Sequence, residues 1–189
     1  MSELSLAAQS PLGGVELETG GVKIAEITGR AIVSITTPKG GGPTLDTAMA
    51  SAFKCKLPAA GQSTRSPVAG SQFLWMQSDQ IFVLFDHDGP DPVAEVAKRL
   101  KGAAYLTDQS DAWAMIAVRG KNSRLALERI CPVDLHGAVF LQGAVARTMM
   151  EHMAAIILCE GRQEFVLMSP RSSSKSFFHA LEISARNIS

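Results

Sequence analysis

Charge is scarce in this chain of 189 residues. Lys and Arg number 18 and Asp and Glu 18, so 19% of the residues are charged and the formal net charge is zero. An ordinary soluble domain carries roughly 25%, so self-repulsion does little to keep this surface free of neighbours. With 46% apolar residues the chain is not disordered. No block of like charge occurs, and the clustered Lys and Arg that nucleic acid or a membrane surface requires are missing; neither is expected as a partner. Cysteine is sparse as well. Cys55, Cys131 and Cys159 are odd in number and far apart, with no Cys-x-x-Cys and no Cys/His pair for zinc, which fits a reducing, cytoplasmic setting. Residues 1–22 contain no Lys or Arg, so they match neither a secretory signal nor a mitochondrial presequence and are expected to be retained. Long apolar runs are absent too. Stretches such as Ala112 to Val118 and Met153 to Cys159 are strand-sized, well short of the ~20 residues that span a bilayer.

What is present is a repeated α+β pattern. Val22 to Ile27 and Ala31 to Thr36 are rich in β-branched residues, with Gly29-Arg30 between them as the turn of a hairpin. A helix follows, with Thr44 as its cap and Leu45, Ala48, Met49, Ala52 and Phe53 at helical spacing, ended by Pro58. Phe73 to Gln77 and Ile81 to Asp86 form a second hairpin around Ser78-Asp79. The next helix has Asp91 as cap, Pro92 at its first position, a stripe of Val93, Val96, Ala97 and Leu100, basic residues at its end and Gly102 to stop it. The order then recurs: strands Ala103 to Thr107 and Trp113 to Arg119, helix Asn122 to Cys131, strands around Ala144 to Cys159 and Glu164 to Met168, and a helix from about Ser173 to Asn187. The expected fold is therefore α+β, two pseudo-repeated strand-strand-helix-strand-strand-helix halves, 22–102 and 103–189, with antiparallel sheets. Residues 1–21, apolar but broken by Gly and Pro, are expected as an extended arm lying along a partner. The loop from Leu57 to Gln72 is long and rich in Gly, Pro, Ser and Ala, as binding or mobile loops are.

Each motif that suggests chemistry has a plainer structural explanation. Lys39-Gly40-Gly41-Gly42-Pro43-Thr44 lies where a phosphate loop would, but Lys precedes the glycines and Pro43 removes a donor, so it reads as a turn. Asp86-His87-Asp88-Gly89-Pro90-Asp91 gathers three carboxylates and an imidazole without calcium-loop spacing, and Asp91 is needed as a cap. His87, His136, His152 and His179 show no His-x-x-x-His spacing. No G-x-S-x-G elbow exists, and Ser172, Ser173 and Ser174 precede a helix that they are placed to cap. Cys131 has no local base and reads as a buried thiol. Met149, Met150 and Met153, with Phe140, Leu141, Trp75 and Trp113, supply adaptable apolar surface for a core or an interface. No catalytic, cofactor-binding or metal-binding residue is assigned.

Two segments resemble known families. Tyr105 to Trp113, containing Asp108-Gln109-Ser110, and Ile116-Ala117-Val118-Arg119-Gly120 onward to Leu125 look like the D-x-S strand and following strand end of the aminomethyltransferase-like fold, that of the glycine cleavage T-protein. Cys131-Pro132-Val133-Asp134-Leu135-His136, then Phe140, Gly143 and Ala146-Arg147-Thr148, is similar to the C-P-I-D-L-H…F…G…R-T pattern of gamma subunits of heterotetrameric sarcosine oxidase. The layout agrees from Val22 onward, and the Pro170 to Phe178 approach to the last helix agrees as well.

The resemblance implies a non-catalytic accessory subunit, acting in assembly and stability, of a four-chain complex that demethylates sarcosine to glycine in one-carbon metabolism, forming 5,10-methylenetetrahydrofolate and hydrogen peroxide. It implies alpha, beta and delta partner chains, contacted mainly through alpha. FAD, FMN, NAD, zinc and tetrahydrofolate belong to those partners and none to this chain. The Gly-Tyr-Thr-Gly-Glu run of folate-using relatives is replaced by Leu158-Cys159-Glu160-Gly161-Arg162-Gln163-Glu164, and the Lys-Gly-Cys-Tyr-x-Gly-Gln motif of iron-sulfur-repair relatives is absent. The alternative is a stand-alone tetrahydrofolate-binding protein of the same fold, with the pterin in a central depression near Trp75 or Trp113.

Overall fold

The computed structural model describes residues 9–188. The first half contains β1 (Glu16–Thr19), β2 (Val22–Ile27), β3 (Arg30–Thr36), α1 (Gly42–Ala52), β4 (Ser63–Arg65), β5 (Gln72–Gln77), β6 (Gln80–Asp86) and α2 (Pro92–Leu100). The second contains β7 (Tyr105–Asp108), β8 (Trp113–Arg119), α3 (Ser123–Glu128), β9 (Val145–Met150), β10 (Met153–Gly161), β11 (Glu164–Pro170) and α4 (Ser174–Arg186), the last preceded by a 3-10 turn over Arg171–Ser173. The repeated α+β layout is borne out.

The strands form two wholly antiparallel sheets, one ordered β1-β2-β8-β11-β10-β9 and the other β4-β5-β6-β3-β7. Residue alternation sorts their side chains into two layers. In β6, Ile81, Val83 and Phe85 face α1 and α2, while Phe82 and Leu84 face the other sheet. In β10, Ala155, Ile157 and Cys159 face α3 and α4, while Ile156 and Leu158 meet the five-stranded sheet. The molecule is a four-layer sandwich of helices, sheet, sheet and helices. Both faces of the central strands are dry, which is why they read as continuous apolar runs despite being antiparallel. Each fully buried large aliphatic contributes about 1.5–3 kcal/mol of transfer free energy.

The halves exchange strands: β1 and β2 of the first join the second's sheet, and β7 of the second joins the first's. The hairpin expected from Val22 to Thr36 does not form: β2 pairs with β8 (Ile24 opposite Val118), whereas β3 pairs with β6 and β7 (Ile35 opposite Ile81 and Leu106). The chain crosses between sheets at Gly29, whose φ is +73°. Because β3 is buried along nearly its whole length, its pattern marks no solvent side from which a hairpin partner could be read. The stretch expected as one strand around Ala144 to Cys159 is β9 and β10, joined by a tight turn at Glu151 and His152, both with left-handed φ. Part of the segment read as an arm belongs to the sheet, because β1 pairs with β2 in register Glu16 to Ala25. Residues 1–8 lie outside the described residues.

The helices show which local signals decide. In α2 the Asp91 carboxylate accepts from Ala94 N at 2.8 Å, Val96 and Leu100 are buried, and Lys101 with Gly102 closes the helix in left-handed conformation. In α1, Leu45, Met49 and Phe53 are buried at i, i+4 and i+8. Thr44 is not its cap. Pro43, with its pre-set φ, lies in the first turn, so the helix begins before Thr44 and Gly41 takes the N-cap without a side-chain bond. The long loop is pinned: Ser63 N donates to Gly143 O at 2.7 Å and Val145 N to Gly61 O at 2.8 Å, joining the β4 and β9 edges of the two sheets. No helix among the described residues is long and apolar enough to cross a membrane.

Candidate interaction surface

The motifs weighed for chemistry are occupied in holding the fold. The Lys39 to Thr44 run turns through Gly41 N to Pro38 O at 2.8 Å and opens α1. In the acidic turn, Asp86 faces Arg30 at 3.4 Å, Asp91 caps α2, and His87 Nδ1 lies 3.3 Å from Glu95. No group of three His, Cys, Asp or Glu is arranged for a metal ion among the described residues. Ser173 and Ser174 do not cap helix N–H groups as expected. Their hydroxyls donate backwards, to Pro170 O at 3.2 Å and Arg171 O at 2.9 Å, because the 3-10 turn that precedes α4 places those carbonyls within reach. The space between the sheets is filled by Ile32, Leu74, Phe82, Leu84, Met115, Ile156 and their neighbours. Trp113 packs edge-on against Phe82 at that layer's margin, with ring centroids 6.2 Å apart.

The methionine and aromatic run divides between core and surface. Met150 and Phe140 are buried, whereas Met149 and Leu141 are more than half exposed. Leu141 lies on the rim of a hollow of about 580 Å³ on the outer face of the six-stranded sheet, between α3, the 136–142 loop and the β10–β11 turn. Its lining includes Arg124, His136, Phe140, Cys159 and Arg162 and contains no acid.

Arg124 organises this hollow. Its guanidinium stacks over the Phe165 ring at 5.0 Å, and Nη2 donates to Arg162 O at 3.1 Å. Nη1 is shielded and has no acceptor. Beside it, burial pushes the Cys159 thiol up, against the opposing pull of the Arg124 charge and of a hydrogen bond from its guanidinium, and the S–H donates to Gly161 O at 3.2 Å. Burial likewise raises Cys131, the thiol expected to be buried. Glu160 turns away to pair with Arg65 of β4, and its Oε1 is shielded without a partner. The rim is stiff: His136 O accepts from Val139 N and Phe140 N at 2.8 and 2.9 Å, and Gly143 N donates to Cys159 O at 2.8 Å. Nothing in the spacing of Arg124, Glu160 and Arg162 announces this arrangement, since the three residues meet only through the pairing of β10 with β11 beside α3.

Back-to-back antiparallel sheets, flanking helix pairs and exchanged strands define the class, the fold of aminomethyltransferase folate-binding domains. The glycine cleavage system aminomethyltransferase T from Bartonella henselae superposes with a TM-score of 0.62 at 16% identity, covering 86% of this chain and 48% of that one. Within the class, the resemblance is to sarcosine oxidase subunit gamma. The subunit gamma of Corynebacterium sp. (strain U-96) is 28% identical over 166 residues, 80% of this chain and 78% of that protein. A chain of the heterotetrameric sarcosine oxidase from Corynebacterium sp. U-96, solved in complex with pyrrole 2-carboxylate, superposes with a TM-score of 0.80 at 20% identity over 96% of both chains. No family model matches the chain.

Proposed function

We propose that this chain is the gamma subunit of a heterotetrameric sarcosine oxidase, a cytoplasmic accessory chain that contributes no catalytic group and serves assembly and stability. The observation that carries the reading is the sequence resemblance to subunit gamma, which spans four fifths of this chain. Three features support it: the charge-poor composition, the filled inter-sheet layer, and a Leu158 to Glu164 segment that lacks the Tyr and Thr of the run in folate-using relatives. In this reading an apolar face packs chiefly on the alpha chain, with beta and delta completing the assembly. FAD, FMN, NAD, zinc and tetrahydrofolate reside in the partners, and the complex as a whole converts sarcosine to glycine, methylenetetrahydrofolate and hydrogen peroxide.

Co-expression with the three partner chains tests this directly. The chain is expected to co-elute with a flavoprotein, and omitting it is expected to lower the yield of assembled, active complex. A chain that is monomeric and fully stable alone and never co-elutes with a flavoprotein would overturn the reading. Tryptophan fluorescence titrated with tetrahydrofolate is expected to stay flat, and a saturable quench would favour the stand-alone folate-binding alternative.

A further inference from the structure

We infer that the hollow between α3 and the β10–β11 turn is the seat of an acidic side chain carried on an apolar segment of the partner alpha chain, which docks over the rim at Val139 and Leu141. The inference rests on the gamma-subunit reading and adds to it a surface and a recognition chemistry.

Charge complementarity supplies the first argument. Arg124 and Arg162 line the hollow, His136 stands at its margin, and no Asp or Glu lines it. Glu160, which precedes the turn, is already paired with Arg65. Two guanidinium charges with no carboxylate in the lining favour an incoming acid, and a carboxylate entering the hollow takes charge-assisted bonds from them. The apolar rim beside the two arginines fits a peptide segment that carries the acid, whereas a small inorganic anion would leave that rim uncovered.

The rim supplies the second argument. Val139 and Leu141 are 60% and 59% exposed, the most exposed large aliphatic side chains among the described residues. They stand on a loop whose backbone is already bonded to itself and to β10, so covering them costs little ordering entropy. An arginine in a dehydrated pocket surrounded by apolar rim contacts is the usual form of a binding hot spot.

The test uses the full chain co-expressed with its partners, the tag being on the alpha chain. Leu141→Asp and Val139→Asp add a repelling charge at exposed positions that support nothing inside the fold. Arg124→Gln removes the pairing charge, and Tyr105→Asp, an equally exposed site on β7, is the control. Leu141→Asp and Arg124→Gln are each expected to lower the retained fraction at least about tenfold, the scale of a hot-spot loss. Tyr105→Asp is expected to behave as wild type, and raising salt to weaken wild type more than Arg124→Gln. Thermal unfolding of each isolated variant identifies misfolding, and if Arg124→Gln melts early, Leu141→Asp decides alone. If wild type co-elutes and Leu141→Asp is retained equally, the surface is wrong and the gamma-subunit reading stands. If wild type itself never co-elutes, both are lost.

Discussion

The hydroxyl oxygen of Ser110 accepts the backbone N–H of Ile32 at 3.1 Å, across 78 residues of chain. Ser110 is the serine of the Asp108-Gln109-Ser110 motif, and the bond shows what that motif does here. Asp108 Oδ1 accepts from Ser110 N at 2.8 Å, which folds the end of β7 back, and Gln109 N donates to Ile32 O at 2.8 Å. The strand that the second half lends to the first half's sheet is thereby fastened to β3. Ser110→Ala leaves the Ile32 N–H unpaired at a residue with no solvent exposure, so it is expected to cost about 1–3 kcal/mol. Urea unfolding measures it, and a midpoint equal to wild type would refute the fastening role.

The existence of most elements was legible in the sequence, and their partners were not. The apolar run of β6 and the helical spacing in α1 and α2 identified those elements because each has a distinct apolar pattern with turn or cap residues at its ends. The β2–β3 crossover was hidden. Gly29-Arg30 makes an equally good hairpin turn or sheet-to-sheet crossing, and only the packing of Ile32 and Leu84 against Met168 and Ile156 decides between them. β1 and β4 are short edge strands of four and three residues, too brief for periodicity to register. The hollow around Arg124 was illegible for a further reason: a stacked arginine, a loop and a strand turn come together there from three parts of the chain.

Glu26 holds residues 12–14 against β2. Its carboxylate accepts from Leu12 N at 3.0 Å and Gly14 N at 2.6 Å, while its own N–H donates to Val15 O at 2.9 Å. Glu26→Ala removes two charge-assisted acceptors from a half-exposed site. The amides of Leu12 and Gly14 are then expected to exchange at least about tenfold faster, with only a small change in global stability. Hydrogen exchange resolved by residue checks this, and unchanged protection at both amides would refute it.

Gly20 and Gly29 share a left-handed φ, +58° and +73°, and differ in what surrounds them. A Cβ on Gly20 would lie 2.1 Å from the Ala185 carbonyl oxygen of α4, whereas one on Gly29 meets nothing within 4 Å. Gly29→Ala is expected to cost about 1 kcal/mol, the conformational penalty alone. Gly20→Ala must also push the β1–β2 turn off α4, and about 2–4 kcal/mol is expected. Comparing the two melting curves isolates the contact from the conformation, and equal losses would show that α4 yields freely there.

Burial raises the thiols of Cys131 and Cys159 above the ordinary range, and Cys55, which is less enclosed, is raised in the same direction. The folded state therefore holds these protons more tightly than the unfolded state. The stabilisation is complete below the unfolded thiol pKa of about 8.5 and is lost as pH rises from there through the folded value. Removing the two buried thiols with Cys131→Ala and Cys159→Ala is expected to flatten the fall in urea midpoint between about pH 7.5 and 9.5, because the remaining titrating groups are common to both proteins. Wild type and double variant losing stability in parallel would show that the thiols contribute nothing to it. The same burial sets the order of alkylation at neutral pH. Cys55 is expected to react first, and Cys131 and Cys159 only on the timescale of opening, so their labelling rate should rise with urea while that of Cys55 barely changes.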